Sequence, residues 1–189
     1  MANASLDELG ERLGIVLRDP KAIAQAFVHS SYFNENPEAV EGHNERLEFL
    51  GDAILGAVVC DLLYHQYPEY LEGDLTRLKS IVVSRQTCAK ISDSLGMEEL
   101  LILGKGMTTH PTVPPSLLAD VFESLIAAIY LDGGMKPARE FIEKHMGPEI
   151  ELAAVCDLVR QVFALHGRAS EVLWTRIADR GYEIEAEPQ

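Results

Sequence analysis

The sequence predicts an all-α fold, and three observations carry that prediction. Two long apolar segments, residues 44–67 and 116–131, have the length of helices rather than of strands. Elsewhere, apolar residues recur at the three- and four-residue spacing that places side chains on one face of an α-helix. The alternation of polar and apolar residues that is typical of a strand is weak before residue 180. We therefore expect a helical chain up to about residue 147.

The first part of the chain predicts two short helices and a loop. A Ser–Glu capping box opens residues 5–14 and predicts the first helix there. Asp19 and Pro20 have the residue types preferred at the N-cap and at the first helical position, so a second helix is expected from there to about residue 29. The polar segment 30–43 contains Asn, Pro and Gly, which predicts a loop.

Capping residues, Gly and Pro set the limits of the later helices. The first long helix ends before a proline, Asp74 is expected to cap the next helix, and a glycine ends that one. Gly147-Pro148 predicts a domain boundary, which divides the chain into residues 1–148 and a C-terminal helical extension over residues 149–189. Helices are thus expected over residues 44–67, 74–95, 116–131, 137–145, 150–166 and 170–178, with a short helix or turn at 97–103 and a loop at 104–115.

The composition indicates a globular protein that is strongly acidic. Hydrophobic residues make up 47% of the chain, which is enough for an ordered core. The 16 Lys and Arg residues against 30 Asp and Glu give a net charge of −14, which is the wrong sign for non-specific attraction to nucleic acid. Three cysteines without a CxxC spacing indicate reduced thiols. With neither a signal peptide nor a membrane span in its pattern, the sequence predicts a cytoplasmic protein that makes no membrane contact.

Carboxylates interrupt both of the long apolar segments. Glu45, Glu48 and Asp52 are spaced so that they share one face of the first helix, and Asp120 and Glu123 share a face of the second. Buried carboxylates without a cation are very costly, and both segments bring few basic residues. The simplest arrangement is a divalent cation between the two helices. All-oxygen ligands suit Mg²⁺ or Mn²⁺ better than Zn²⁺.

The first acidic segment also carries a resemblance to a known family. Asn44-Glu-Arg-Leu-Glu-Phe-Leu-Gly-Asp52 resembles the signature of the ribonuclease III endonuclease domain. Further motifs of that family resemble other parts of this chain, in the same order, and the resemblance covers about residues 5–148. These parts are Val28-His-Ser-Ser-Tyr32, Glu72-Gly-Asp-Leu-Thr-Arg-Leu-Lys79, Leu103-Gly-Lys-Gly106 and residues 116–134.

The resemblance implies an all-α endonuclease domain that acts as a homodimer and depends on a metal ion. Glu48, Asp52, Asp120 and Glu123 match the family's catalytic carboxylates, which hold Mg²⁺, and Mn²⁺ can substitute. The implied reaction is the hydrolysis of double-stranded RNA to products with 5′-phosphate and 3′-hydroxyl ends. The implied role is RNA processing, such as the maturation of ribosomal RNA.

Other candidate positions follow from the same resemblance or from the charge pattern. Glu45 and Glu72 match accessory acidic positions of the family, and Phe49 matches a position at its dimer contact. The basic residues that concentrate after the first long helix are candidates for contacts with RNA phosphates. They are Arg77, Lys79 and Lys105, with Arg85 and Lys90 in the same group.

The sequence leaves the source of RNA affinity open. Family members commonly carry a double-stranded-RNA-binding domain after the nuclease domain, and residues 149–189 show neither recognisable strands nor a basic cluster. A protein partner bound through this extension is one alternative source of affinity. Two alternative functions are a module that binds RNA or the ribosome without cutting, and a small-molecule phosphohydrolase that uses the same metal cluster.

Overall fold

The computed structural model of the chain describes residues 4–107 and 112–166, and its regular elements are helices. In these two ranges, extended backbone pairs at an isolated parallel bridge between Val28 and Ile102. The all-α prediction is therefore confirmed, while the helix predicted at 170–178 lies outside the described residues. The helices are α1 (Ala4–Leu13), α2 (Pro20–Ala26), α3 (Ser30–Glu35), α4 (Glu45–Gln66), α5 (Glu72–Val82), α6 (Arg85–Ser94), a 3₁₀ turn (Met97–Leu100), α7 (Pro115–Gly133) and α8 (Met135–His166). Among them, we find no helix with the length and apolar character needed to cross a membrane.

Helices α4 and α7 form the centre of the fold. Helix α7 is buried on nearly all sides, and α4 contributes fully buried residues such as Leu55 and Leu63. The ring of Phe122 on α7 lies 5.8 Å, centroid to centroid, from the ring of Phe141 on α8, so α8 closes the core. Burial of each such Leu or Phe side chain contributes about 1.5–3 kcal/mol. This packing fixes the positions of the polar residues that α4 and α7 carry.

The caps predicted for α2 and for α5 differ in outcome, since the first is correct and the second is wrong. Asp19 caps α2 as predicted, because its Oδ1 accepts a hydrogen bond from the backbone N–H of Lys21 at 2.9 Å. Helix α2 then ends at Ala26, three residues earlier than the pattern suggests. Asp74 lies inside α5 instead of before it, and accepts a hydrogen bond from the backbone N–H of Leu71 at 3.3 Å.

The segment predicted as a loop at 30–43 contains a helix, α3, in its first part. The ring nitrogen Nδ1 of His29 accepts a hydrogen bond from the backbone N–H of Ser31 at 3.2 Å and so caps the helix. The backbone N–H of Gly104 donates to Ser31 Oγ at 2.9 Å, which ties α3 to the segment after the 3₁₀ turn. A cap and a long-range hydrogen bond therefore stabilise a helix whose polar sequence is typical of a loop.

The helix predicted over 74–95 is two helices, α5 and α6, separated at Ser84. Ser84 has extended backbone torsions, with φ −66° and ψ 151°, and its hydroxyl accepts a hydrogen bond from the backbone N–H of Thr87 at 3.2 Å. This is the geometry of an N-cap. Val82 and Cys88 are buried on either side of the break. The apolar periodicity therefore continues across the break, and the sequence pattern does not reveal it.

Helix α8 runs without interruption through Gly147 and Pro148, where the sequence predicts a boundary. A proline inside a helix lacks one backbone N–H and ordinarily costs about 3 kcal/mol. Met146 and Ile150 are fully buried on either side of it, and their burial offsets that cost. The helices predicted at 137–145 and 150–166 are thus one helix. The division of the chain into two domains at residue 148 stays a prediction.

Candidate active site

Helices α4 and α7 cross at Gly51, where their backbones touch. A Cβ atom on Gly51 would overlap the backbone carbonyl oxygen of Glu123 and lie 2.5 Å from its carbonyl carbon. Glycine alone leaves room for this approach. A buried hydrogen bond fixes the same crossing, because Ser124 Oγ donates to the backbone oxygen of Asn44 at 3.2 Å. Side chains beside the crossing are therefore positioned by rigid helices and not by loops.

The four predicted catalytic carboxylates surround this crossing. Glu48 and Asp52 lie on α4, on either side of Gly51 in the sequence, and Asp120 and Glu123 lie one turn apart on α7. Burial raises the pKa of Glu123 to about 7, with further increases from the charges of Asp52, Glu48 and Asp120. Burial also raises the pKa of Glu48, and the charge of Asp120 adds to that effect. The charges of Glu48 and Asp52 on α4 and of Asp120 and Glu123 on α7 thus act on one another, and the joint role of these residues in metal binding and catalysis stays a prediction.

Two groups outside α4 and α7 offset part of this negative charge. Burial raises the pKa of Asp120, and Arg85 and His29 oppose that rise. Arg85 also opposes the effect of burial on the pKa of Glu48 and of Glu123. Arg85 is an exposed residue in the first turn of α6, and His29 caps α3. Their proximity to the carboxylates could not be read from the sequence, since it depends on how α3 and α6 pack.

The chemistry of this cluster fits a hard divalent cation. All four side chains are carboxylates, whose oxygens are the ligands that Mg²⁺ and Mn²⁺ prefer. Within residues 4–107 and 112–166, none of the four has an ion-pair partner within 4.0 Å or accepts a side-chain hydrogen bond. As placed, no three of the described His, Cys, Asp and Glu side chains form a ready metal site. Binding of a cation at the crossing therefore requires carboxylate side chains to rotate on a fixed backbone.

Of the two accessory acidic residues, Glu45 lies at this cluster and Glu72 lies apart from it. Burial is the largest cause of the raised pKa of Glu48 and of Asp120, and the charge of Glu45 adds to both. Glu72 begins α5, accepts a hydrogen bond from Thr76 Oγ1 at 2.8 Å and lines a separate groove of about 410 Å³ beside α4 and α5. An accessory role for Glu72 stays a prediction.

Phe49, the predicted dimer-contact residue, points away from the core. It is 82% exposed, although its neighbours Glu48 and Leu50 are partly buried. Tyr64, further along α4, is also exposed, at 68%. An apolar ring in this position adds almost nothing to the stability of its own chain. Exposed aromatic residues are typical of surfaces that contact another molecule.

Arg77, one of the predicted RNA-contact residues, is engaged with carboxylates. Its Nε atom lies 2.8 Å from Asp157 Oδ1, and its Nη2 atom lies 3.0 Å from Asp157 Oδ2 and 2.8 Å from Asp74 Oδ1. This two-pronged ion pair joins α5 to α8, since Asp157 belongs to the C-terminal half of α8. The contact with RNA expected of Arg77 stays a prediction.

Lys79 and Lys105, two further RNA-contact candidates, are placed differently. The Nζ atom of Lys79 lies 3.7 Å from the point where a Cβ atom on Gly56 would stand, one turn after Asp52 on α4. Lys79 is therefore next to the helix that carries two of the carboxylates. Lys105 is exposed, and its backbone N–H donates to Glu35 Oε2 at 3.0 Å, which fixes the backbone of this segment.

Comparison with known proteins identifies relatives along most of the chain. The family model described as Ribonuclease-III-like matches residues 19–150, a region that includes α4, α7 and all four carboxylates. Ribonuclease 3 of Rhodopirellula baltica is 43% identical over 152 residues, which are 80% of this chain and 56% of that protein. Ribonuclease 3 of Geobacillus kaustophilus is 44% identical over 152 residues, which are 80% of this chain and 62% of that protein. The chain thus spans about three fifths of the length of these relatives.

Solved structures give the same result for the fold. The nuclease domain of ribonuclease III from Campylobacter jejuni matches with a TM-score of 0.66 and 32% identity, over 76% of this chain and 96% of that one. Dicer from Pichia stipitis matches with a TM-score of 0.57 and 28% identity, over 74% of this chain and 59% of that one. Because the family model matches most of the length of this chain, the chain belongs to the ribonuclease III family.

Proposed function

We propose that the chain is a Mg²⁺-dependent endoribonuclease that hydrolyses double-stranded RNA and leaves 5′-phosphate and 3′-hydroxyl ends. The observation that carries the proposal is that α4 and α7, in contact at Gly51, each carry two carboxylates beside this contact. The curated relatives bear the name Ribonuclease 3, which supports this class of reaction. RNA processing, such as the maturation of ribosomal RNA, is the biological role that corresponds to it.

The four carboxylates are the proposed metal ligands, with Glu48 and Glu123 binding directly and Asp52 and Asp120 beside them. Mg²⁺ bound here would supply Lewis-acid chemistry, because it offsets the negative charge of a phosphodiester and makes a water molecule more acidic. Mn²⁺ has similar ligand preferences and would substitute. Because the helix backbones are in contact at Gly51, the spacing of the ligands is set by the core.

The electrostatics of the cluster support a requirement for a cation. Burial, and after it the charges of Asp52, Glu48 and Asp120, raise the pKa of Glu123 to about 7, so the cluster holds negative charge with difficulty. The same charge repels an RNA phosphate. A bound divalent cation relieves both effects, and we therefore expect RNA hydrolysis to depend on it. Lys79, beside α4, is positioned to attract a flanking phosphate.

We also propose that two copies of the chain form the active assembly. Phe49 is 82% exposed and directly follows Glu48, so a symmetric contact through this residue would place two carboxylate clusters in one dimer. Two clusters can cut the two strands of a duplex. In the nuclease domain of ribonuclease III from Campylobacter jejuni, a region is described as involved in dimer formation, which supports the same arrangement here.

Incubation of labelled duplex RNA with the chain and Mg²⁺ tests the activity. We expect discrete fragments from the duplex, and none from single-stranded RNA of the same sequence or after addition of EDTA. The products should ligate to an RNA acceptor through their 5′-phosphate without prior phosphorylation. Products that require a kinase before ligation would contradict the proposed end chemistry.

Glu123→Gln is the matched control, since it removes the charge and keeps the shape of the side chain. We expect it to lower the cleavage rate by roughly 100-fold or more, with unchanged helical content by circular dichroism. Binding of duplex RNA without cleavage by the unaltered chain would favour a non-cleaving RNA-binding module of the same fold. Preferential hydrolysis of nucleotides would instead favour a small-molecule phosphohydrolase.

A further inference from the structure

We propose that Arg85 binds a non-bridging oxygen of the phosphodiester that the four carboxylates act on. The inference rests on the proposed function, because it assigns a contact to the substrate of that reaction. It adds a substrate-binding residue on α6 to the carboxylates on α4 and α7. Its basis is the placement of Arg85 at the edge of the cluster and the absence of a competing partner in the described residues.

The packing of α6 places Arg85 next to the crossing. Arg85, Cys88 and Ser92 are spaced so that they share one face of α6. Cys88 and Ser92 are fully buried on that face, and Ser92 Oγ donates to the backbone oxygen of Leu118 on α7 at 2.6 Å. The face that carries Arg85 is therefore the face that packs on α7. Arg85, as the first residue of α6, stands at the exposed end of this face.

The surroundings of Cys88 locate this end of α6 more closely. Burial, and then the charges of Glu123 and Asp52, raise the pKa of the Cys88 thiol to about 12. The buried residue one turn after Arg85 thus lies beside both carboxylate helices. Electrostatic effects of Arg85 on Glu48 and Glu123 agree with this placement. Arg85 is consequently the basic side chain that borders the cluster from α6.

Arg85 forms no ion pair with a carboxylate in the part of the chain that the structure describes. Its exposed guanidinium has no ion-pair partner within 4.0 Å there, in contrast to Arg77, which binds Asp157 and Asp74. A guanidinium presents a planar fork of N–H donors that matches two oxygens of a phosphate. Four carboxylates carry more negative charge than one divalent cation offsets, and a phosphodiester adds to it. A free guanidinium at the edge of the cluster supplies the charge that an RNA phosphate needs there.

A purely structural role for Arg85 makes different predictions. If Arg85 served only as a counter-charge for the carboxylates, its removal would change the Mg²⁺ requirement, and Arg85→Lys, which keeps the charge, would restore the affinity for RNA in full. A phosphate contact instead predicts weaker RNA binding and a smaller salt dependence, because one fewer phosphate is neutralised. Removal of a neighbouring positive charge cannot weaken the attraction of the carboxylates for Mg²⁺.

The test compares Arg85→Ala, Arg85→Lys and Arg18→Ala in the full chain, with a short RNA duplex as the probe. Arg18 is the matched control, since it is exposed and lies in a different groove together with Val16 and Lys136. We measure the dissociation constant for the duplex in the Glu123→Gln background with Mg²⁺ at several salt concentrations. Steady-state kinetics in the unaltered background give kcat and KM. For Arg85→Ala we expect a dissociation constant raised by about fivefold or more, and a salt-dependence slope smaller in magnitude by about one.

Arg85→Lys keeps the charge but not the fork, so we expect it to restore the salt slope and only part of the affinity. Equal behaviour of Arg85→Ala and Arg18→Ala would overturn the inference, as would a changed Mg²⁺ requirement with unchanged RNA affinity. If the unaltered chain binds the duplex and does not cut it, the proposed hydrolysis fails, and the binding comparison still decides whether Arg85 contacts a phosphate. If the chain binds no duplex at all, both proposals are overturned.

Discussion

The backbone of α4 at Gly51 rests directly against the backbone carbonyl of Glu123 on α7, with no room for a side chain between them. This contact between the two central helices thus lies within one turn of each of the four carboxylates. Gly51 therefore contributes both to the packing of the core and to the spacing of the acidic groups. A change at this point is therefore expected to affect stability and activity together.

Gly51→Ala tests this coupling. The new methyl group would lie 2.5 Å from the carbonyl carbon of Glu123, so the helices must separate. We expect a loss of about 1–3 kcal/mol in the free energy of unfolding, which is typical of an overpacked core. Because small misplacements of catalytic groups are costly, cleavage should fall by roughly 100-fold. Urea unfolding and the duplex cleavage assay measure the two effects.

Gly56→Ala is the control for Gly51→Ala, since both change glycine to alanine inside α4. At Gly56 the nearest atom to the new Cβ is Lys79 Nζ at 3.7 Å, which is ordinary contact. Alanine favours the helix by up to about 1 kcal/mol over glycine, so this variant should be neutral or more stable. Equal losses of stability in the two variants would show that the crossing is not the cause.

The raised pKa of Glu123 predicts that stability without a metal ion falls as the pH rises. Glu123 has a pKa of about 7 in the folded chain, mainly through burial, against 4.5 as its ordinary value. Between these values the folded chain binds more protons than the unfolded chain, so the free energy of unfolding decreases with pH. We expect the Tm in EDTA to drop between pH 5 and pH 7.5, and the Glu123→Gln variant to show a smaller drop.

Titration of His145 changes the stability in the opposite direction, so the effect of Glu123 has to be measured as a difference between two proteins. Burial lowers its pKa from 6.5, so its contribution to stability grows as the pH rises. The difference between the unaltered chain and Glu123→Gln removes this shared contribution. Mg²⁺ should raise the Tm of the unaltered chain more at pH 7.5 than at pH 5, since Glu123 is then ionised. Parallel melting curves for the two proteins at every pH would contradict the prediction.

The ion pair between Arg77 and Asp157 predicts that α8 depends on α5 for its docking. Asp157 is 4% exposed, and removal of Arg77 would leave its carboxylate buried with Gln161 as its other donor. Because Arg77 itself is partly exposed, we expect Arg77→Ala to lower the free energy of unfolding by about 2 kcal/mol. This is less than the loss expected when a fully buried ion pair is broken. Urea unfolding measures the change.

Arg139→Ala is the matched control for Arg77→Ala. Arg139 also binds two carboxylates, those of Asp61 and Glu143, but all three side chains are about 40% exposed. Exposed pairs contribute little, so the loss should stay below about 1 kcal/mol. A larger loss at Arg139 than at Arg77 would show that burial of Asp157 does not control the strength of this contact.

The exposure of Phe49 predicts that the chain self-associates through this residue. Burial of a phenylalanine side chain contributes about 1.5–3 kcal/mol, and a two-fold symmetric contact buries this side chain in both copies of the chain. We expect Phe49→Glu to raise the dimer dissociation constant by at least about 100-fold, as measured by sedimentation velocity over a range of concentrations. Val16→Glu is the control, because Val16 is similarly exposed, at 77%, and lies outside α4. Equal dissociation of both variants, or none in either, would exclude Phe49 from the contact.

The parts of the fold that were predictable are those in which local pattern and burial agree. Helices α4 and α7 are long and apolar, and the intervals between their carboxylates indicate a shared face whatever the details of packing. Glu48 and Asp52 on α4, and Asp120 and Glu123 on α7, were therefore identifiable from the sequence as carboxylates that share a face of their own helix, while their common catalytic role stays a prediction. The close approach at Gly51 could not be located, since a glycine in a helix has several explanations.

The parts that were not predictable depend on tertiary contacts. Ser84 starts a new helix without any Gly or Pro, and the buried residues on both sides keep the same periodicity. Gly147-Pro148 has the composition of a boundary, yet burial of Met146 and Ile150 favours a continuous helix. Arg85 becomes a neighbour of the carboxylates only because α6 begins where it does. Local signals were overridden in each case by packing that involves distant residues.

Ser31 joins α3 to the segment after the 3₁₀ turn, and its hydroxyl is expected to stabilise both. Ser31 Oγ lies 2.7 Å from His29 Nδ1 and accepts the backbone N–H of Gly104 at 2.9 Å. Ser31→Ala would leave the buried Gly104 N–H without its acceptor, at a cost of about 1–3 kcal/mol.

Hydrogen exchange provides the specific measurement for Ser31→Ala. We expect the amide of Gly104 to exchange faster in the variant, while amides in the centre of α7 change only in proportion to the loss of global stability. Ser80→Ala is the control, since Ser80 Oγ donates to the backbone oxygen of Arg77 at 2.7 Å on an exposed surface. Its effect should stay within about 0.5 kcal/mol. Unchanged exchange at Gly104 in Ser31→Ala would show that this hydrogen bond does not hold the segment, and that the bridge between Val28 and Ile102 is sufficient to do so.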